Sequence, residues 1–211
     1  MTKQIADVLK DRKQSTKGAK DLAYAIYRAI EGMVPSAKAV RDFLEQLTNE
    51  CTKHKKALRW TTPLGMPVVN RYHKFQTKDV SVPLDGRRRR AKLTVGHKNE
   101  IDRNKAVNAV TANFIHSSDA VHLQMVALEA NKEGIALATV HDCFGAVAPK
   151  VLRMLCIIRE QFVRLHKDHA LLDWIRESAE RELPKNAELA SPPIAGDLDL
   201  EQVLVSQHAF K

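Results

Sequence analysis

Ile135-Ala136-Leu137-Ala138-Thr139-Val140, then His141-Asp142, then Cys143-Phe144-Gly145-Ala146-Val147-Ala148: two apolar runs of strand length flank one pair of polar residues. Short apolar runs broken by a two-residue polar turn read as an antiparallel hairpin. The runs carry almost no polar side chain, so both strands are expected to be buried, with His141 and Asp142 together at one edge of a core. Val151, Leu152, Leu155, Ile158, Phe162 and Leu165 follow at the spacing of a long amphipathic helix behind the hairpin. Upstream, Ser117-Ser118-Asp119 has the residue types of a helix N-cap. His122, Val126 and Ala130 then fall on one side of that helix, and Gly134 supplies its stop. The predicted fold class is α+β, with helices packed on a small antiparallel hairpin.

Asp is a favoured turn residue, so the bend alone has an ordinary structural reading. Its setting adds a chemical one. A carboxylate at the edge of a core is placed for a hard divalent cation such as Mg²⁺, which takes oxygen ligands and keeps several waters. Two chemistries use a His-Asp pair in this way. A phosphohydrolase of the HD type would ligate its metal with a further His and Asp on helices. A nucleotidyl transferase would use Asp142 and a second carboxylate to hold two Mg²⁺ ions about 3.5–4 Å apart. Placement on strands favours the second.

A second hairpin signal lies upstream, where Asp85-Gly86 separates Val80, Val82 and Leu84 from Arg87-Arg88-Arg89-Arg90, Leu93 and Val95. Alternate side chains of a strand face opposite ways, so four successive arginines charge both faces. A strand buried on a core cannot carry that load, because an unpaired buried charge costs several kcal/mol or so. This hairpin is expected to project into water or onto something anionic. Residues 51–110 hold fifteen Lys and Arg against four Asp and Glu, whereas residues 171–211 hold four against eight. A basic middle and an acidic tail point to a polyanion partner for the middle only.

Leu22, Ile26, Ile30 and Met33 predict one helix up to Pro35. Val40, Phe43, Leu44, Leu47 and Cys51 predict a second. The first twenty residues read as a polar, frayed end. Thr61-Thr62-Pro63-Leu64-Gly65-Met66-Pro67 has the breakers of an irregular loop. A helix over Leu171–Leu183 stops before Pro184, and Pro192-Pro193 with Gly196 mark a linker to an acidic tail, Asp197–Lys211. No apolar run of about 18 residues is present, so no membrane span is expected. The first twenty residues lack the apolar core of a secretory signal, and Asp7, Asp11 and Asp21 argue against a transit peptide. Cys51, Cys143 and Cys156 lack the spacing of a zinc site or a disulfide framework and suit a reducing compartment. Eleven aromatic residues are few for binding single strands chiefly by stacking.

His141-Asp142-Cys143-Phe144-Gly145 resembles motif C of the single-subunit DNA-dependent RNA polymerases of bacteriophages and mitochondria. Four further stretches agree in order. Arg59-Trp60-Thr61-Thr62-Pro63-Leu64-Gly65-Met66-Pro67-Val68 resembles the family's W-x-T-P-x-G-x-P-V loop. Asn113-Phe114-Ile115-His116-Ser117-Ser118-Asp119 with His122-Leu123 resembles its N-F-[IV]-H-S-x-D-x-x-H stretch. Arg159–His166 is similar to the helix after motif C in mitochondrial members. Asp197-Leu198-Asp199-Leu200 and Ala209-Phe210 are similar to the C-terminal foot.

The resemblance implies a partial palm and fingers. Residues 1–58 would be a helical fingers-side segment, and 59–112 the loop and a specificity-type hairpin. Residues 113–190 would be the palm segment with motif C, and 191–211 a linker and foot. It implies that Asp142 binds the catalytic Mg²⁺ pair, that His141 sits beside the growing RNA end, and that His116 lies near the incoming nucleotide. Lys78 and Arg87, Arg88, Arg89 and Arg90 would contact promoter DNA, and Phe210 would belong to the foot. Asp119 and His122 read as mainly structural. Double-stranded promoter DNA, nascent RNA and ribonucleoside triphosphates are the implied partners, in a phage-infected cytoplasm or a mitochondrion. The strand with the first catalytic aspartate and the helix gripping the triphosphate have no counterpart here, so the missing N-terminal part of the polymerase is a further implied partner. Lys211 replaces a small terminal residue. An A-family DNA polymerase fragment and a non-catalytic basic DNA-binding protein are the rival readings; the former usually has Glu where Cys143 stands.

Overall fold

The computed structural model of the chain describes residues 2–11, 17–84, 87–140, 143–206 and 208–210. They form an α+β arrangement of helices and three two-stranded antiparallel sheets. The chain divides into two units, Met1–Asp42 and Phe43–Lys211.

In the first unit, α1 (Thr2–Asp11) packs on α2 (Ala19–Met33), so the expected frayed end is a correction: much of it is helical. Gly18, at φ 88, occupies the N-cap of α2 in a left-handed conformation that a residue with a Cβ rarely adopts. The helix buries Ala19 and Ala23, while Leu22, Ile26, Ile30 and Met33 are exposed, Met33 by 81%. Pro35 opens α3 (Pro35–Lys53), where its fixed φ suits the first helical turn and its missing N–H costs nothing. Arg41 ties α3 to α2: its guanidinium donates to Tyr27 Oη (2.7 Å) and Glu31 Oε1 (2.8 Å) and lies over the Tyr27 ring.

In the second unit, α3 buries Phe43, Leu44, Leu47 and Cys51 as its periodicity predicts. Burial pushes the Cys51 thiol up to about 12, so it stays protonated and unreactive. The stretch read as an irregular loop is a tight hairpin, β1 (Leu58–Thr61) paired with β2 (Pro67–Asn70). Its breakers sit in the turn and at its edge. Thr62 N–H donates to Met66 O, Gly65 N–H to Thr62 O, and Met66 N–H to Thr62 Oγ1.

Next come β3 (His73–Leu84) and β4 (Arg87–Ile101), a long ladder with irregularities near His73/Phe75 and Gln76/Thr77. Asp102 then caps α4 (Arg103–Lys132), its carboxylate accepting from Lys105 N–H at 3.1 Å. The expected N-cap at Ser117-Ser118-Asp119 is therefore another correction. The helix runs through it, because Ser117 Oγ and Ser118 Oγ donate back to Phe114 O within the helix instead of capping a new one. β5 (Ala138–Val140) and β6 (Cys143–Gly145) follow, then a 3₁₀ turn at Ala148–Lys150. α5 (Val151–Asp168), α6 (Leu171–Glu182) and a short α7 (Gln202–Val205) complete the order.

α4 packs on α5, α6 on β1 and α4 on β2. Val126, Ala130, Ile135, Met154, Ile157 and Ile158 form one buried core, and Val121, Met125 and Leu165 a second. Val151 and Leu152, expected on the buried face of α5, are exposed in its first turn, and Met154 and Ile157 take that place. No described helix is long and apolar enough to cross a membrane.

Candidate active site and nucleic-acid interface

Gly134, at φ 63, ends α4: Gly134 N–H donates to Asn131 O and Ile135 N–H to Ala130 O. The chain then turns into the β5/β6 ladder, in which Ala138 pairs with Gly145, Thr139 with Phe144 and Val140 with Cys143. Leu137, Phe144 and Ala146 rest on the Val126–Ile158 core. The expectation that both strands are buried is corrected: Val140 is 67% exposed, and Thr139 and Cys143 are exposed too. Each strand has three residues, and only one side of the ladder reaches α4 and α5. His141 and Asp142 lie outside the described residues. Among those described, no group of three or more His, Cys, Asp or Glu side chains is placed to hold a metal ion.

His122 sits beneath the ladder. It is 9% exposed, and its Nε2–H donates to Ile158 O at 2.8 Å, which fixes the tautomer because a carbonyl can only accept. Phe144 of β6 meets its ring edge-on at a centroid distance of 6.1 Å, Phe162 of α5 at 5.7 Å, and Phe210 lies 5.6 Å away. Phe210 also packs on Phe162 at 5.1 Å, and the Arg159 guanidinium donates to Ala209 O, so the chain's end is drawn onto α5. One imidazole thus joins the motif C strand, the two long helices and the terminal aromatic. His116 is on the same helix as His122, and it is exposed.

Burial holds the His122 imidazole below its ordinary value of 6.5, outweighing the bond to Ile158 and the attraction of Asp119. A folded-state value below the unfolded one means the unfolded chain binds the proton first. The stability His122 contributes is therefore complete above about pH 6.5 and is lost as pH falls through the folded value. His166 lies tilted against Phe162 with ring centroids 4.5 Å apart; partial burial, and after it the neighbouring His122, pushes it the same way, although the residue is still exposed. Thermal melts are expected to show Tm falling between about pH 7 and pH 5. His122→Gln, which keeps a donor for Ile158 O, flattens part of that slope and His122→Gln/His166→Gln the rest. An unchanged slope in the double variant would contradict the assignment.

The loop read from sequence as W-T-T-P-L-G-M-P is fastened to α4 by buried polar contacts. Trp60 Nε1–H donates to Ser117 Oγ (3.1 Å), and Asn113 Nδ2 donates to Asn70 Oδ1 (2.9 Å) and Tyr72 Oη (3.1 Å). Asn70, fully buried, in turn donates to Ala106 O. Sequence reasoning passed over Asn70 and Tyr72, since an isolated Asn or Tyr carries no periodic signal. Buried amides of this kind hold a unique register because each lost partner costs about 1–3 kcal/mol.

In the β3/β4 ladder, Ser81 pairs with Arg90, Val82 with Arg89, Pro83 with Arg88 and Lys78 with Leu93. Pairing and alternation put Lys78 and Arg89 on one face, and Arg88 and Arg90 on the other. All four are exposed, and no ion pair engages any of them among the described residues. Asp85 and Gly86 lie outside the described residues, as does the Arg87 side chain. At the ladder's other end, Asp102 N–H donates to Tyr72 O at 2.7 Å, and Lys105 Nζ sits 4.0 Å over the Phe75 ring.

Comparison with known proteins shows the family. A family profile described as DNA-dependent RNA polymerase matches residues 1–193. The chain is 34% identical over 205 residues to DNA-directed RNA polymerase 2, chloroplastic/mitochondrial, of Arabidopsis thaliana, a match covering 95% of the chain and 19% of that protein. It is 34% identical over 182 residues to the DNA-directed RNA polymerase of Pseudomonas phage phiKMV, covering 86% of the chain and 21% of the relative. DNA-directed RNA polymerase 1A of Nicotiana tabacum is 36% identical over 158 residues, 72% of this chain and 94% of the relative. The chain thus spans about a fifth of the length of the Arabidopsis and phage relatives. On these matches it belongs to the DNA-dependent RNA polymerase family, in the single-subunit branch of phage and mitochondrial proteins.

Proposed function

We propose that the chain provides the C-terminal part of a phage-type RNA polymerase and contributes one of its two catalytic carboxylates, Asp142. The observation that carries this reading is the β5/β6 ladder on either side of His141-Asp142 in sequence, seated through Phe144 on the core between α4 and α5 and exposed on its other side. With a second carboxylate from outside this chain, Asp142 would hold two Mg²⁺ ions that activate the RNA 3′-hydroxyl and steady the pyrophosphate leaving group.

The other residues take roles around that site. His141 adjoins the RNA end, and exposed His116 on α4 faces the incoming ribonucleotide. Phe210, docked beside Phe144 through His122 and Phe162, steadies the hairpin from behind. The β3/β4 ladder is the reader of promoter DNA: a two-stranded ribbon fits the major groove, about 12 Å wide, and arginine is the commonest partner of guanine edges. Residues 1–58 serve the fingers side, 59–112 the loop and ladder, 113–190 the palm and 191–211 the foot. Template DNA, nascent RNA, ribonucleoside triphosphates and the remainder of the polymerase are the partners. The setting is a phage-infected cytoplasm, or a mitochondrion if the source is an organelle enzyme.

The purified chain, given template, RNA primer, ribonucleoside triphosphates and Mg²⁺, is expected to add no nucleotides. Robust extension by the chain alone would overturn the shared-site reading.

A further inference from the structure

The end of α3, the start of β1, the β2–β3 connection and the base of the β3/β4 ladder converge on a groove of about 460 Å³. Lys55, Lys56, Arg59, Arg71 and Lys74 line it, against the single carboxylate of Glu100. Glu100 is taken by Lys74 at 3.0 Å, and Arg59 is paired with Glu182 at 3.6 Å. Lys55, Lys56 and Arg71 are exposed and have no ion-pair partner among the described residues.

Two further features mark the groove as built for a ligand. The end of α3 closes with Lys56 N–H donating to Cys51 O and Lys55 N–H to Thr52 O, which forces Lys55 to φ 56. Glycine is the usual residue at that position because it alone adopts the conformation without strain. A lysine there costs the fold stability and makes no ion pair among the described residues. His73, lining the same groove, keeps a buried Nδ1 with no hydrogen-bond partner.

We propose that this groove clamps the phosphodiester backbone of nucleic acid without regard to sequence. The ligand class follows from the lining: several unneutralised cations along an open trough match a chain of evenly spaced phosphates. From Lys74 to the arginines, nine residues of strand span roughly 30 Å, so the groove and the arginine end contact different phosphates and their effects add. The groove depends neither on Asp142 nor on Arg88–Arg90.

The test uses the full chain and a fluorescein-labelled DNA duplex of about 20 base pairs, with anisotropy followed across salt concentration. Lys55→Gly is expected to raise Tm while weakening binding, and to reduce the slope of log affinity against log salt by about 0.9. Lys55→Gly/Lys56→Ala/Arg71→Ala reduces it by about 2.7, and by the same amount in a chain already carrying Arg88→Ala/Arg89→Ala/Arg90→Ala. Slopes unchanged by the groove variants would overturn the clamp and leave the ladder reading intact; loss confined to the groove variants would do the reverse. Magnesium-free ATP should displace the duplex only weakly. Displacement by micromolar ATP would make the groove a nucleotide site and refute the backbone clamp.

Discussion

Asp142→Ala is expected to reduce nucleotide addition by about 10³-fold or more, about 4 kcal/mol of transition-state stabilisation at 1.36 kcal/mol per tenfold. The measurement is made in a chimera in which this chain replaces the matched segment of its phage relative. Promoter affinity should stay within about twofold, because the β3/β4 and β5/β6 ladders are separate elements of the second unit. The size of the effect follows from charge. Two closely spaced Mg²⁺ ions need more than one carboxylate to be held, and a single remaining acid cannot keep both in place. Asp142→Asn should fail almost as badly, since it keeps the shape and loses the charge. If Asp142→Ala destroyed promoter binding and folding together, the residue would be a structural turn aspartate.

Arg88→Ala/Arg89→Ala/Arg90→Ala in the isolated chain is expected to weaken duplex binding about 10²- to 10³-fold at 0.1 M salt, where each phosphate contact is worth about 0.9 decade. Each arginine is exposed on the ladder without an ion pair among the described residues, so its removal leaves no buried charge and Tm should hardly move. Arg89→Ala and Arg88→Ala/Arg90→Ala act on opposite faces of the ribbon. A partner lying on one face would respond to one of these and not the other; a ribbon inserted in a groove responds to both. A purely solubilising edge would give no change in affinity and would contradict the interface.

The pairing of β3 with β4 and of β5 with β6, α5, and the latter half of α4 were legible because their signals are local. Asp85-Gly86 between alternating residues marks a reversal, and four arginines in a row exclude burial wherever the strand lies. Gly134 stopped α4 for the reason it is used there, its left-handed φ. What could not be read depends on partners distant in sequence. Ser117 and Ser118 have the chemistry of caps, and only the surrounding helix decides that they bond backward to Phe114 O. Pro63, Gly65 and Pro67 suggested an irregular loop, yet Trp60 and Asn70 on either side are locked to α4 and give the segment a sheet. The apolar strands beside His141-Asp142 implied burial from composition alone. Val140 and its neighbours are exposed, because each strand has only three residues and one side of the ladder alone meets the core. His122 announced itself only as a helix-face residue; its contact with Phe210, eighty-eight positions away, has no local signature.

Metal placement can be read by cleavage. With Fe²⁺ in place of Mg²⁺ and peroxide supplied, hydroxyl radicals cut the backbone within a few ångströms of the bound ion, and the chimera's fragments map the position. Within this chain, cuts are expected only at residues near Asp142, suppressed by excess Mg²⁺ and absent from Asp142→Ala. Cuts elsewhere in the chain, or unchanged cuts in Asp142→Ala, would contradict that placement.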